Sequence, residues 1–361
     1  MFGENHETTI IMTNYTNRAV LPWACRLASF LLSSLALLPA AHGQGCVQSR
    51  GAGMCSIMQA ESDYLQPGGW QAAVGYRWLH SDRHFIGSQE QPQRQANGTQ
   101  VINDSHFIDL TATYGLTKRL SLNLTVPFVY SDRSSLYEHD NIHRHSMVAS
   151  GLADVRLGAT MWVFNPDQHH DGNLSFGLGL KCPTGDSEAQ AIAYKVTGPA
   201  LRYVDQSIQP GDGGWGVVLE TQGFQKLFQN TYAYMSASYL ISPQERNPHT
   251  GYSIPDSYLL RAGSIYVIWP AAGLSLSLGG RMEGVPVTDW FGGSEGSRRP
   301  GYAVSIEPGI IWVYRKLSVN VTAPVALDRN REWSVSDLRT GKHGDAAFAD
   351  FIITSSISLR F

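Results

Sequence analysis

Histidines in the first half of the chain are the residues best suited to hold a metal ion. The stretch YEHDNIHRHS carries His139, His143 and His145. Imidazole nitrogens at such close spacing can converge on a transition metal. Loop histidines are more often solvated or hydrogen-bonded to nearby aspartate and arginine, so both interpretations stay open. Three more histidines flank the preceding connection: His80, His84 and His106.

Serine chemistry is the other reaction type to consider. A hydrolase needs a serine that a histidine activates and that a third polar group orients. No such triad can be recognised in the sequence, because its members would come from different strands. The glycine-rich stretch 183–212 lacks the G-K-[ST] of a phosphate-binding loop. We therefore predict no enzyme, no catalytic residue and no cofactor, with a lipase-type hydrolase as a less favoured alternative.

Charge and composition limit the partners. The chain of 361 residues has 30 acidic and 27 basic side chains and a formal charge of −3. A nucleic-acid partner would require a clear basic excess, so none is expected. Charged residues make up 16% of the chain, against roughly 25% in ordinary soluble domains. This composition favours β-structure without a highly charged surface.

The N-terminus has the features of an export signal. Basic residues precede the apolar run LASFLLSSLALLPAA, and small residues follow it. We predict a secretory signal peptide over residues 1–43, with Met12 as an alternative start. A single transmembrane anchor is the alternative, but the run is short for the ~20 apolar residues that a span needs. We expect residues 44–68 to be a periplasmic segment in which Cys46 and Cys55 can form a disulfide, leaving Cys182 unpaired.

Alternating strands dominate the rest of the chain. In the last segment, DFIITSSISLRF, Phe351, Ile353, Ile357 and Leu359 fall on one face and polar residues on the other, because strand side chains alternate with period two. The same pattern recurs without any apolar stretch long enough for a membrane helix. Twelve strands are predicted, at 70–80, 105–116, 120–130, 151–164, 172–182, 214–228, 231–242, 257–269, 274–284, 301–314, 317–327 and 345–361.

The connections between these strands alternate between long and short. Such alternation between amphipathic strands of about ten residues is typical of an outer-membrane β-barrel, with short periplasmic turns and long extracellular loops. We predict a closed antiparallel transmembrane β-barrel over residues 69–361. A soluble β-sandwich is the alternative. Aromatic residues lie near the predicted strand ends, where two interfacial girdles are expected: Phe164, Trp269, Trp312, Tyr314 and Phe361 beside short turns, and Trp78, Tyr130, Tyr258 and Tyr302 beside long loops.

Two stretches carry a family resemblance. SGLADVRLGATMWVF and GNLSFGLGLKCPTGD contain a G-L-x-D-V-x-L strand and a P-T-G-D strand exit. These resemble the bacterial outer-membrane family labelled meta-pathway of phenol degradation, or simply transporter, over about residues 60–361. The resemblance implies a barrel that takes up small aromatic or hydrophobic compounds, and it implies no site residues. Cys182 stands where the family pattern has an apolar residue. The terminal Phe361 resembles the signal by which barrel-assembly machinery recognises such proteins.

If the apolar strand faces point to lipid, the other faces bring equal numbers of both charges into the lumen. They either pair into a structural network or line a narrow channel. The predicted lumen residues are Arg77, Asp109, Asp154, Arg156, Lys181, Glu220, Arg261, Arg281, Glu283, Glu307 and Asp350, with Arg360 on the same face.

The predicted function is passive uptake of small hydrophobic or aromatic solutes across a bacterial outer membrane, with lipid and a small molecule as partners. Loop 183–212 is long enough to fold inward and constrict the pore. The alternative is a structural or surface-binding barrel with a plugged lumen, in which the loop histidines bind metal.

Overall fold

Twelve antiparallel strands form the wall of the protein. The computed structural model describes residues 64–361, so the predicted signal peptide and the Cys46–Cys55 pair lie outside the described residues. Fourteen hydrogen-bonded segments make the wall, and two strands consist of two segments each. The strands are β1 Trp70–Ser81, β2 Ile102–Gly115, β3 Leu120–Ser135, β4 His145–Leu152 with Arg156–Trp162, β5 Gly172–Lys181, β6 Gly216–Phe228, β7 Thr231–Ile241, β8 Ser257–Trp269, β9 Leu274–Val285, β10 Gly301–Tyr314, β11 Leu317–Thr322 with Val325–Arg331, and β12 Phe351–Arg360.

The first and last strands close the sheet into a barrel. β1 pairs with β12 from Gln71 opposite Arg360 to His80 opposite Phe351. Beyond this ladder the Trp70 amide donates to the Phe361 carbonyl at 3.0 Å, and the Phe361 amide donates back at 2.9 Å. Closure removes the unpaired edges that lipid could not satisfy. The prediction of a closed twelve-stranded antiparallel barrel is confirmed.

Several strand ends differ from the prediction. The fourth strand begins at His145 rather than at residue 151, and it is interrupted at residues 153–155. β11 is likewise interrupted, at Ala323 and Pro324, because proline cannot donate to a ladder. The predicted last strand begins too early. Its first part, Ala346–Phe348, pairs instead with Arg83–Ile86.

The long connections contain small elements of their own. Arg83–Ile86 also pairs with Gln89–Glu90, and a short helix spans Gln93–Ala96. The connection after β5 folds into a hairpin, Gln190–Lys195 with Gly198–Tyr203. A second short helix, Val335–Thr340, follows β11. The short turns include two 3₁₀ helices, Pro166–Gln168 and Pro270–Ala272.

The outer wall is apolar and the inner wall is polar. Along β9, Leu276 and Leu278 are exposed on the outside, while Ser275, Ser277 and Arg281 are buried on the inside. A belt of exposed apolar residues surrounds the barrel, which is the surface that lipid covers in transmembrane barrels. Within residues 64–361, no helix is long and apolar enough to cross a membrane. Exposed aromatic residues at the short-turn end are Trp70, Phe164, Phe228, Trp269, Tyr314 and Phe361, and Tyr130, Trp215 and Phe351 lie toward the long-loop end.

Candidate functional site: the lumen and its two closed ends

A cavity of about 260 Å³ lies inside the barrel. Its walls combine inward-facing serine, threonine and asparagine side chains with charged groups and a few apolar ones. Strand alternation explains this mixture, because every second residue of each wall strand points inward. The charged side chains among its lining residues are Arg77, Asp109, Arg156, Glu220, Arg261, Arg281 and Arg360.

Two of these arginines are held by buried carboxylates. Arg261 donates from Nε and Nη2 to the two oxygens of Glu307, at 2.7 and 3.0 Å. Arg281 binds Glu283 in the same way, at 3.1 and 2.8 Å, and its Nη1 lies 3.7 Å from Glu307. Glu307 also accepts from the Thr322 hydroxyl. Bidentate charge-assisted pairs of this kind fix side-chain geometry strongly. On this side of the lumen the charges form a structural network.

The charged groups on the other side of the cavity are held differently. Arg77 lies over the Phe107 ring, with 4.3 Å between the guanidinium carbon and the ring centroid. Arg156 Nη2 is 3.9 Å from Asp109, too far for a hydrogen bond. Glu220 lies over Gly177, where a Cβ atom would come within 3.1 Å of the Glu220 Cβ. This side of the lumen therefore keeps charged groups in contact with the cavity.

Three predicted lumen residues lie at the outer part of the barrel. Lys181 binds Asp154 at 3.4 Å and Asp212 at 2.5 Å, which ties β5 to the loop that follows it. Asp350 accepts from the backbone amide of Asp82 and pairs with Arg329. These contacts join loops and strand ends.

The residues that carry the family resemblance meet at the break in β4. The Thr184 hydroxyl donates to the Ala153 carbonyl and accepts from the Val155 amide, so it bridges the interruption. The Asp154 carboxylate accepts from the Gly185 amide at 3.0 Å. A Cβ atom on Gly185 would come within 2.8 Å of the Gly211 Cα. The motif therefore anchors the returning loop in the barrel mouth, where only glycine leaves enough space.

The outer end of the lumen is closed by residues 204–211 of the loop after β5, called here the outer plug. Val204 and Ile208 are almost completely buried. Asp205 binds Arg299 at 2.5 Å and lies 3.5 Å from Arg133, a β3 residue that is 2% exposed. The next residue of the plug, Gln206, donates to the Ser253 carbonyl. Burial alone would raise the pKa of Asp205, but the two arginines outweigh it and hold that pKa well below its usual value.

Aromatic packing narrows the short-turn end of the lumen, which the sequence did not predict. Tyr64 packs edge-on against Trp162, with 5.2 Å between ring centroids, and also contacts Phe224. Its hydroxyl donates to the His169 carbonyl and accepts from the Asn173 amide group, both at 3.1 Å. Phe224 belongs to a buried apolar cluster with Tyr232, Tyr234, Ile265 and Ile311. We call Tyr64, Trp162 and Phe224 the inner plug.

The histidines suggested as metal ligands take different roles. His139 is buried, and its Nδ1 accepts from the Tyr194 amide of the hairpin at 3.1 Å. The His139 and His145 rings are 5.1 Å apart, whereas His143 is exposed and binds Asp140. Within residues 64–361, no three histidine, cysteine, aspartate or glutamate side chains are grouped to hold a metal. The three histidines that flank the preceding connection bind carboxylates: His80 and His106 bind Asp104, and His84 binds Asp345. The metal site stays a prediction.

One serine matches the G-x-S-x-G pattern that marks hydrolase nucleophiles. It is Ser294 in the run Gly292–Gly296. The run lies in the loop between β9 and β10, without the strand-to-helix turn that exposes such a nucleophile. The Ser294 hydroxyl accepts from the Asp289 amide at 3.0 Å. This context gives the motif a local structural role.

Cys182 is a free, half-buried cysteine.

Comparisons with known proteins support the fold. No protein-family model matches the chain, and no curated protein matches it. Among solved structures, an outer-membrane channel from Pseudomonas putida F1 is similar with a TM-score of 0.55 and 15% identity, covering 83% of this chain and 97% of that one.

Two further structures resemble it more remotely. The toluene transporter TbuX of Ralstonia pickettii has a TM-score of 0.41 and 12% identity, with 89% of this chain and 99% of that chain covered. The CymD monoaromatic hydrocarbon channel has a TM-score of 0.40 and 11% identity, with 88% and 98% covered. No argument rests on these two. The chain folds as an outer-membrane β-barrel.

Proposed function

We propose that this protein is an outer-membrane channel for passive uptake of small hydrophobic or aromatic solutes. The observation that carries the proposal is the cavity inside a closed barrel, which is lined by both polar and apolar side chains. Its volume of about 260 Å³ exceeds the roughly 150 Å³ that accommodates benzene in an apolar cavity. A single-ring solute therefore fits.

Passage requires movement at both ends of the lumen. A solute entering from outside must displace the outer plug, which is held by Asp205 and Gln206. It must then pass Tyr64 and Trp162 to leave toward the periplasm. No step needs an energy source, because the concentration gradient drives diffusion. Narrow lumens of this kind give selectivity, whereas barrels of 16–18 strands leave open aqueous pores.

The similar Pseudomonas putida structure is itself an outer-membrane channel, which agrees with this proposal. The resemblance to the meta-pathway family points to the same solute class, and we propose that membership. We further propose that Phe361, the residue after β12, is recognised by barrel-assembly machinery. It is exposed on the outer wall beside the seam with β1.

The first test is the single-channel conductance of the refolded barrel in a planar bilayer, with and without benzyl alcohol. We expect discrete, brief openings that the aromatic solute reduces, because both plugs must open for current to flow. A correctly folded barrel that stays silent would contradict the channel and favour the alternative, a plugged structural or binding barrel. That alternative has its own support in the buried outer plug.

A further inference from the structure

We propose that Arg156 forms a binding subsite for the carboxylate of a small organic acid inside the lumen. The inference deepens the proposed function, and it rests on that function only for the claim that solutes reach the cavity. It narrows the solute class from small aromatic compounds in general to those that carry an acid group, with a single-ring aromatic acid as the simplest member.

One edge of an arginine guanidinium carries Nε and Nη2. The N–H groups of these two nitrogens point the same way and match the two oxygens of a carboxylate. Elsewhere in this protein the same edge is repeatedly filled by a carboxylate: in Arg83 with Glu90, Arg94 with Asp345, Arg261 with Glu307, and Arg281 with Glu283.

In Arg156 that edge is buried without a partner. Arg156 is 7% exposed, and neither Nε nor Nη2 has a hydrogen-bond partner among the described residues. Asp109, the nearest carboxylate, stands 3.9 Å from Nη2. A buried charged donor without a partner is costly. The free edge therefore favours any ligand that supplies two acceptor oxygens.

Arg156 stands in the wall of a space that a ligand can enter. Arg156 is the first residue after the break in β4, and it lines the 260 Å³ cavity. Val218 and Leu259 line the same cavity and offer apolar surface for the body of the acid. Glu220 lies against the wall over Gly177. The site thus combines a guanidinium edge that can bind a carboxylate with an apolar wall.

Local charge also agrees with an anion. The cavity is lined by five arginines and two carboxylates. With Glu307 and Glu283, which bind Arg261 and Arg281, these five arginines face four carboxylates in all. This gives one positive charge in excess, which one bound carboxylate would balance. An ammonium ligand would increase the excess.

The test is equilibrium binding of benzoate to the refolded barrel in detergent, measured by calorimetry, with benzamide as the neutral probe of the same shape. Wild-type protein should bind benzoate more tightly than benzamide. Arg156→Gln should weaken benzoate binding by about tenfold or more, because two charge-assisted hydrogen bonds are lost. Benzamide binding should change little. Arg156→Lys should restore only part of the loss, since an ammonium keeps the charge without the fork.

Arg360→Gln is the matched control. Arg360 lines the same cavity, but its Nε already donates to Gln71 at 3.1 Å. The substitution removes the same charge but leaves the guanidinium of Arg156 unchanged. Because a distant charge is screened, benzoate binding should change less than about twofold. Equal losses in the two variants would mean that only the overall charge matters and would overturn the subsite. So would a wild type that fails to prefer benzoate.

Two readouts keep the two proposals separate. Heat-modifiable migration on gels and the far-ultraviolet spectrum establish that each variant has folded before binding is measured. A barrel that binds benzoate through Arg156 yet never conducts would overturn the channel and leave the subsite. A barrel that conducts and is blocked by benzyl alcohol, but binds benzoate equally in Arg156→Gln and Arg360→Gln, would overturn the subsite alone.

Discussion

The two ends of the lumen are narrowed by different interactions. The outer plug, residues 204–211, is held by buried charges, with Asp205 between Arg133 and Arg299. The inner plug is held by aromatic packing of Tyr64 on Trp162 and Phe224, with two hydrogen bonds at its rim. The outer plug is a loop, whereas the inner plug combines strand residues with the segment that leads into β1.

This difference suggests how each end opens. A buried ion pair depends on every partner, because the loss of one leaves the other buried and unpaired. Aromatic packing is spread over many weak contacts, so it weakens by degrees. We therefore expect the outer end to respond sharply to single substitutions and to pH, and the inner end to respond gradually and without pH dependence.

The largest effect should come from Asp205→Asn. The substitution leaves Arg133, which is 2% exposed, without the full charge of a main partner. Breaking a buried pair in this way costs about 3–5 kcal/mol. We expect faster hydrogen exchange across residues 204–211 and more frequent openings in the bilayer recording.

The matched control is Asp167→Asn, which removes an exposed pair with Lys118 at the short-turn end. Exposed pairs contribute about 0–1 kcal/mol, so exchange and conductance should stay close to wild type. If Asp205→Asn leaves the plug as protected as Asp167→Asn does, charge does not hold the outer end.

A smaller effect is expected from Tyr64→Phe. The variant keeps the ring against Trp162 and loses the hydroxyl that binds His169 and Asn173. Asn173 still donates to the Phe164 carbonyl, so the loss should be about 0.5–1.5 kcal/mol. Quenching of tryptophan fluorescence by a water-soluble quencher should rise slightly.

Tyr64→Ala serves as the comparison, since it also removes the ring. Quenching should rise further in this variant, in proportion to the lost packing. A sharp, complete opening with Tyr64→Phe alone would show that hydrogen bonds, and not packing, close the inner end.

The smallest effect should be a pH dependence confined to the outer side. Burial, followed by the neighbouring His145, lowers the pKa of His139 below its usual value of 6.5. Glu138, Asp140 and Lys195 also face this ring. Because the unfolded state binds the proton more readily, stability from this contact is present above pH 6.5 and is lost as pH falls through the lowered pKa.

The probe is hydrogen exchange of the Tyr194 amide, which donates to His139 Nδ1. After correction for the intrinsic rate, its protection should fall between pH 7 and pH 5. His139→Gln should flatten this dependence, whereas His143→Gln, at an exposed residue bound to Asp140, should leave it unchanged. Equal pH dependence at the inner plug would contradict the contrast between the two ends.

Much of the barrel could be predicted because one physical rule produces it. Period-two alternation places Leu276 and Leu278 outward and Arg281 inward, and lipid enforces the pattern at every strand. The strand ends were less predictable. Ala346–Phe348 continues the alternating pattern of β12, so the sequence alone extends the strand to include it. The segment instead leaves the wall and pairs with Arg83–Ile86, which is distant in sequence.

The candidate site could likewise be predicted only in part. Period two predicts that Arg156 and Arg281 both point inward. It does not predict that Glu283 fills the fork of Arg281 while Asp109 stays 3.9 Å from Arg156. Tyr64 was missed altogether, because a single tyrosine before the first strand carries no periodic signal.

The sequence by itself thus determined the fold class, the inside–outside alternation along the wall strands and the long loops at one end, since these follow from local alternation and turn composition. The tertiary structure alone decided which charges neutralise one another, which loop closes the mouth and which arginine of the cavity wall keeps an edge without a partner. Those outcomes depend on distances between strands far apart in sequence, which barrel closure and shear fix.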